Sequence, residues 1–482
     1  MSSGLFSIAR SALLSHQAVL QTISQNIANA ETPGYSRQEA VLEANVPVQM
    51  PYGVVGTGIH VVTIGRKRDL LLDDSYRTAA GQSGDAGMRR DSLSQIEGIF
   101  GEPSDVGMSN ALDQLWSSFS DLTTTPSSSS ARAVVQQRGR QVSQLFNDYD
   151  TQLTQQRNSS IERLSNTVTQ VNALAAQVAD LNGRIVTSES NGNTANDLRD
   201  QRDRVLDSLS TFAGTRVINQ NNGTVSVIIG NSTLVDGGNF RALKLQFETP
   251  NPMPAVTPSD VPVRITLGDS TDRLAPLGGE LNALVSVVNT DVPGIRGRLD
   301  AMASSLAATV NAAHASGFVF SGTTIPGVAA GNFFAPGTLT NPVRASTITL
   351  DAAIQADPSK IAASGDANAP TDNATAKALA VLRIAPNTVT YTSSSGGIET
   401  GSFVGFFRNT VTTLGITVKG AEDNATVYKT LADQGDARRQ SVSGVSTDEE
   451  LTQMIRVQQS YIAATKLIKT ADEMMQTLLQ LI

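Results

Sequence analysis

The chain has 482 residues, a formal net charge of -8, three histidines and no cysteine. That length exceeds one compact core and predicts several domains. The acidic balance speaks against nucleic acid as a partner, and the missing cysteines exclude disulfides and thiolate metal sites.

The first residues, MSSGLFSIAR, lack the basic start and unbroken apolar stretch of a secretory signal, so a Sec route is not expected. No run of about 18 apolar residues occurs, and no membrane span is expected. Phe6, Ala9, Leu13, Leu20, Ile23, Ile27 and Ala30 fall on a three-four spacing, which predicts an amphipathic helix with one apolar seam. Residues 11–30 contain no Lys, Arg, Asp or Glu, while Ser15, Gln17, Gln21, Ser24, Gln25 and Asn26 keep the helix polar. An exposed helix of an ordinary monomer usually carries charges there, so this outer face is suited to touching other protein.

The helix is expected to end near Glu31, within ANAETPGYSRQ. Pro33 has no amide hydrogen and pushes Thr32 out of the α region, and Gly34 tolerates angles closed to other residues. Further on, Gly56-Thr57-Gly58 lacks the third glycine and the βαβ context of a dinucleotide loop. Lys67 and Arg68 form only a local basic spot.

Helical patterns then dominate. No proline occurs over residues 132–188, and Leu164, Val168, Val171, Val178, Leu181 and Ile185 hold a three-four spacing. The SNGNT turn precedes a shorter helix through Leu198, Val205, Leu209 and Phe212, so the two read as a long antiparallel hairpin. Further helices are expected over 280–316, 373–382 and 403–439. Between them, residues 217–220 and 224–229 flank Asn222-Gly223, a two-residue hairpin signal. Alternation of Leu243, Leu245 and Phe247, and of Val263, Ile265 and Leu267, on either side of NPMPAVTPSDVP adds two strands. The Gly, Ala and Pro-rich stretch 318–372 has one strand-like piece, ASTITL at 345–350.

The last segment repeats the logic of the first. Ser446 and Glu449 fit a capping box, and the acidic run 448–450 suits a helix N-terminus rather than a calcium loop. Met454, Val457, Tyr461, Ala464, Ile468, Ala471, Met475, Leu478 and Ile482 then keep the three-four spacing. Each buried Leu, Ile, Val or Met contributes roughly 1.5–3 kcal/mol, which favours pairing of the two ends. His16, His60 and His314 lack the spacing of a zinc hydrolase, and no metal, cofactor or catalytic constellation is expected.

Two stretches carry a resemblance. ANAETPGYSRQ resembles the Ala-Asn-x-x-Thr-Pro-Gly-Tyr/Phe motif after the N-terminal helix of bacterial flagellar rod, hook and hook-associated proteins, with Asn29, Thr32, Pro33, Gly34, Tyr35 and Arg37 on the motif or beside it. GVSTDEELTQMIRVQQSYIAATKLIKTADEMMQTLLQLI is similar to the matching C-terminal helix. Inside the chain, MSNALDQLWSSFSDLTTTPSSSSARAVVQQRGRQVSQLFN and NDLRDQRDRVLDSLS resemble the hook-associated protein 1 (FlgK) family. The likeness weakens over 318–372, and the additional outer domain that members often carry is small or missing.

The resemblance implies a structural protein, not an enzyme, exported by the flagellar type III system without a cleaved signal to an extracellular place at the hook–filament junction. It implies a ring of copies of itself, contact with hook protein and with a second hook-associated junction protein, and an export chaperone on the C-terminal helix, residues 449–482. The expected fold is a mixed α+β multidomain chain. Residues 1–35 pair with 446–482 as a coiled-coil-like terminal layer. Residues 36–213 with 280–317 and 371–445 form a helical bundle, 214–279 an inserted small β domain, and 318–370 an outer or connecting segment. The competing readings are another axial protein, such as a hook or distal rod subunit, and a flagellum-displayed extracellular enzyme with its chemistry in 318–372.

Overall fold

The computed structural model describes every residue except 1, 51–52, 103, 193, 249–260, 276, 321–323, 339–340, 394–395 and 481–482. The fold is mostly helical with small separate sheets. In chain order, α1 (Ser2–Ala28) leads into β1 (Gln38–Ala44), β2 (Val48–Met50), β3 (Gly53–Val55) and β4 (Ile59–Arg66). Then come α2 (Leu70–Phe100), α3 (Met108–Thr124), α4 (Ser129–Glu189) and α5 (Asn196–Ala213). Strands β5 (Arg216–Asn219), β6 (Val225–Ile229), β7 (Ser232–Asp236), β8 (Asn239–Phe240), β9 (Leu243–Phe247) and β10 (Val263–Leu267) follow. After them run α6 (Gly279–Ser286), a π-helical turn (Val287–Asp291), α7 (Val292–Ala315), β11 (Phe318–Val319), β12 (Val328–Ala329), α8 (Ala352–Ala356) and α9 (Ala374–Val381). β13 (Val389–Thr392), β14 (Ile398–Gly401), α10 (Phe403–Ser443) and α11 (Thr447–Gln480) complete the chain.

Two apolar cores lie along one helix. α4 has 61 residues, about 90 Å at 1.5 Å per residue. Its Val135, Val142, Phe146, Tyr149 and Leu153 enter a larger core with α3, α7, α9 and α10, centred on Trp116, Phe119, Phe333 and Phe403. Its Leu164, Val168, Val171, Ala175 and Val178 enter a smaller core with α5, α6 and the sheets β5–β8 and β9–β10. Between the two, Arg157 is 1% exposed and donates to the carbonyls of Val288, in the π-helical turn, at 3.1 Å and of Val261 at 2.6 Å. It rivets the turn and the strand entry onto α4.

Several local expectations are corrected. Residues 38–66, placed in the helical bundle, are strands: β1 pairs antiparallel with β4 and carries the small β2–β3 hairpin at its far end. Pro47 interrupts any helix there. The Asn222-Gly223 signal gives a three-residue loop, not a two-residue one: the Gln220 amide donates to Thr224 at 2.9 Å, and Gly223 sits at φ +83°. ASTITL is a turn with one isolated bridge at Leu350, because Asp300 takes the Ala345 amide (2.8 Å) and Asn147 donates to its carbonyl (2.7 Å). Nor is 318–370 simply outer or connecting, since Phe333, Phe334, Ile348, Leu350 and Ile361 are buried in the larger core. Most of NPMPAVTPSDVP lies outside the described residues.

α1 and α11 lie side by side at one end, and the β1–β4 hairpin rests on α1. Ser15 Oγ pins the hairpin by donating to the Ile59 carbonyl at 3.2 Å. α2 and α10 form the adjoining antiparallel pair, so the chain leaves the terminal helices at residue 29 and rejoins them at residue 446.

Candidate functional site

The candidate site is the joint where the terminal helices meet the helical body. α1 stops at Ala28, three residues before the expected end, and Asn29 turns its side-chain amide back onto the Gln25 carbonyl at 2.9 Å. The Thr32 and Tyr35 amides close successive turns on the carbonyls of Asn29 (2.9 Å) and Thr32 (3.1 Å). Gly34 adopts φ +75°, and a Cβ there would sit 2.4 Å from Cδ of Arg204, whose guanidinium holds the Pro33 carbonyl at 2.8 Å. Glycine therefore supplies both the left-handed angle and the room for Arg204.

Asn26 is the hub on the inner side of the bend, at 1% exposure. Its side-chain oxygen accepts from Tyr35 Oη (2.9 Å) and the Gln38 amide (3.0 Å), and its nitrogen donates to the Gln38 carbonyl (2.9 Å) and to Glu450 Oε2 (3.0 Å). One side chain thus fastens α1, the bend, β1 and α11. Burial, then the nearby Asp197, Asp200 and Glu450 carboxylates, push the Tyr35 hydroxyl above its ordinary pKa, so it stays a donor.

Arg37 extends the fastening. Its Nε meets Glu450 Oε1 at 2.7 Å, its other nitrogens reach Glu449 at 3.2 Å and Gln453 at 3.4 Å, and its amide donates to the Ser443 carbonyl at 2.8 Å. Ser446 does cap α11, accepting from the Glu449 amide at 3.4 Å. The Glu449 side chain, expected to complete a capping box, turns to Arg37 instead.

Behind the bend, α5 presents Asp200, Asp203 and Asp207 on one face. Asp200 accepts from Ser36 through its amide (3.0 Å) and its hydroxyl (2.7 Å), and Arg66 bridges Asp200 and Asp203 at 2.7 Å each. Arg68 forks onto Asp73, Arg77 spans Asp203 and Asp207, and Arg439 from α10 closes on Asp207 while stacking 4.0 Å over the Tyr76 ring. Burial alone would raise the Asp203 carboxyl, but Arg68, Arg66 and Arg77 together hold it at about 2. A cleft of about 590 Å³ opens beside the bend, lined by residues 30–37 and by Arg204, Arg439 and Glu449.

The residues singled out in the sequence fall on this joint and on the helices leaving it. Thr32, Pro33 and Gly34 are exposed at the tip of the bend, whereas Asn29, Tyr35 and Arg37 are half-buried. On α1, Ile23 is buried, while Phe6, Leu13, Leu20 and Ile27 are half-buried. On α11, Met454, Val457, Ile468 and Met475 are half-buried and Tyr461 lies at the exposed edge. The Leu478 side chain and Ile482 lie outside the described residues. Beside Ile23, the buried apolar positions of the pair are smaller side chains: Ala9, Val19, Ala464 and Ala471.

Ser36, Arg66, Asp200, Asp203 and Arg439 were not singled out, and Asn26 and Glu450, expected on an outer polar face and in an acidic helix start, are instead buried at the joint. A signal for them existed. Asp200, Asp203 and Asp207 share one helix face by their spacing, and Ser15, Thr22 and Asn26 form a polar line inside the seam. Among the described residues no group of three metal-ligating side chains forms a metal site, and no helix is long and apolar enough to cross a membrane.

The two ends and the bend match known proteins. Residues 6–35 fit the family described as flagella basal body rod protein, and 438–481 the C-terminal family of flagellar basal body rod FlgEFG proteins. The joint is therefore that of an axial protein of the bacterial flagellum. Residues 93–334 fit the flagellar hook-associated protein FlgK helical domain. The chain is 31% identical to flagellar hook-associated protein 1 of Bacillus subtilis over 97% of its own length and 96% of that protein. It belongs to the flagellar hook-associated protein 1 family, structural proteins of the hook–filament junction. Its likeness to the Salmonella typhimurium member is 28% over 66% of this chain and only 57% of that longer protein. The solved flagellar hook junction protein FlgK from Burkholderia pseudomallei shares the fold, with TM-score 0.63 and 17% identity over 77% of this chain and 100% of that one.

Proposed function

We propose that this chain forms a ring at the distal end of the hook, stacks on hook subunits below and templates the second junction protein above. The paired terminal helices are its innermost, coiled-coil-like layer, the helical body the next, and the β5–β10 part faces outward. The domain division is 1–35 with 446–482, then the body, with 214–279 as its β insert. The role is mechanical rather than enzymatic, and the bend at residues 29–37 sets the angle at which the chain leaves the inner tube.

The observation that carries this reading is the unfinished burial of the two end helices. Leu14 is 58% exposed, and on α11 Leu451, Ile455, Ile462, Leu467 and Met474 are all exposed. Leu451, Ile455 and Ile462 share one face of α11 by their spacing, and an apolar row that one chain leaves open is suited to neighbouring subunits. The same α11 row suits helix-in-groove binding by an export chaperone over 449–482 before assembly, with passage through the flagellar type III channel without a cleaved signal.

The test mixes isolated hooks with full-length protein or with a form lacking 457–482, and images the distal ends. Only the full-length protein should cap the hooks and accept the next junction protein. Failure of both forms moves the assignment to another axial position. Within the bend, Pro33→Ala with Gly34→Ala removes both helix-ending residues and should impair capping; normal filaments from that variant would refute the role given to the bend.

A further inference from the structure

The buried and half-buried arginines around α5 meet carboxylates, with one exception among the described residues. Arg199 pairs with Glu189 at 2.7 Å, Arg66 with Asp200 and Asp203 at 2.7 Å, and Arg77 with Asp203 at 3.2 Å and Asp207 at 2.9 Å. Arg202, on the same α5, is 2% exposed and forms no ion pair among the described residues. One terminal nitrogen donates to two uncharged oxygens, Asn182 Oδ1 at 3.0 Å and the Gly223 carbonyl at 2.7 Å, and its buried Nε meets no acceptor among the described residues. A buried guanidinium without a counter-charge is costly.

The arginines around it hold acids of their own. Arg202 lines a cavity of about 320 Å³ between the start of α2, α5 and the β5–β6 turn, together with Arg66, Arg77 and Arg199; the acids of that lining are Asp73 and Asp203 alone. Arg66, Arg77 and Arg199 are matched by Asp200, Asp203, Asp207 and Glu189, which leaves Arg202 as the lining arginine with no ion pair among the described residues, and Asn219 and Asn221 add amide-bearing residues to the wall. Burial, opposed by Asp203 and reinforced by Arg199, Arg66 and Arg77, pulls the Arg202 pKa down to about 10. Gly223, at φ +83°, lets the turn close on this wall, since a Cβ there would lie 2.7 Å from Glu189 and 3.0 Å from Arg199.

We propose that this cavity binds a small tetrahedral oxyanion of the phosphate or sulfate class, with Arg202 as its anchor. Such an anion supplies the missing counter-charge and accepts several N–H donors at once, which a planar guanidinium fork presents well. Because the wall draws on α2, α5 and the β5–β6 turn, the bound anion ties the joint's charged face to the β insert. Binding to the folded chain alone raises its apparent stability by mass action.

The experiment uses the full chain at pH 7, titrated with sodium phosphate or sodium sulfate against sodium chloride at matched ionic strength, by calorimetry and thermal melting. The wild type should give a saturable one-site isotherm and a rising melting temperature. Arg202→Met should lose both by at least tenfold in affinity, while Arg184→Met, exposed on the neighbouring α4, keeps them. Absence of a saturable signal in the wild type, or an equal response in Arg202→Met, overturns the proposal. Should Arg202→Met fail to fold, Asn221→Asp, a charge placed on the exposed turn, decides by phosphorus-31 line broadening: weakened broadening supports the site, and unchanged broadening overturns it.

Discussion

The helical body and the terminal helices use amphipathic sequence to opposite ends. In the body, large side chains are spent inside: Trp116, Phe119, Phe146, Phe333, Phe403 and Phe407 are all under 2% exposed. In the terminal pair the buried apolar positions are mostly small, Ala9, Ala464 and Ala471 beside Val19 and Ile23, and most of the larger side chains stay at the edge or outside. Small residues let two helices approach closely, and the large ones left outside form contact surface that a single chain does not consume. The body consumes its large apolar side chains within one chain, and the terminal pair leaves several of its own exposed.

The largest effect should come from the body. Phe333 is fully buried, 5.5 Å from the Phe119 ring and 5.0 Å from that of Phe334. Phe333→Ala should lower unfolding free energy by about 3–5 kcal/mol through lost burial and the cavity left behind, read from the urea midpoint. A loss below about 1 kcal/mol would mean that 318–370 is only loosely attached to the core.

Next comes the joint that separates the two regions. Arg37→Met leaves Glu450, 1% exposed, without its cation, at about 3 kcal/mol. Combining it with Glu450→Gln removes the stranded charge while keeping a partner for Asn26, and the double variant should recover more than half of the loss. The readout is hydrogen exchange at the Gln38 amide, which donates to Asn26. If the two substitutions simply add, the ion pair does not hold the joint.

The two regions were also unequally legible in the sequence. Helix periodicity locates α4, α5, α10 and α11 nearly to their ends, because long amphipathic runs leave few alternatives. The strands at 38–66 were missed because their alternating side chains are largely exposed, so no apolar face marks them. The 333–363 segment was missed because its fold comes from distant side chains, Asp300 and Asn147 among them, that decide where its backbone groups bond. At the joint, Pro33 and Gly34 mark the bend, but the fastening is by Asn26, Asp200 and Glu450, whose roles depend on partners 9 to 424 positions away.

A smaller effect should appear with pH, again in the body. His314 is fully buried, with Nδ1 at 2.7 Å from the Gly331 carbonyl and Nε2 accepting from the Ala362 amide at 2.9 Å. Nδ1 therefore carries the proton, and a second proton on Nε2 would expel the Ala362 bond. Burial lowers the His314 pKa below its ordinary 6.5. The unfolded chain then binds the proton more readily than the folded one, so stability is full above about pH 6.5 and falls as pH drops below it. His314→Gln should flatten that fall in melts between pH 7 and 5; an unchanged slope would assign it to the carboxylates.

The smallest effect on the monomer should come from the outer row of α11, and it separates the two regions most sharply. Ile455 is 61% and Ile462 47% exposed, so Ile455→Asn with Ile462→Asn uncovers little buried surface and should change unfolding free energy by less than about 0.5 kcal/mol per site. Hook capping by the same variant should nonetheless fall severely, because the apolar row is then lost to the neighbouring copy. Were the monomer destabilised as strongly as by Phe333→Ala, the row would be core within one chain. Were both stability and capping unchanged, the inner layer would be held by the buried small-residue face alone, and the exposed row would serve only before assembly, where chaperone affinity of the variant would measure it.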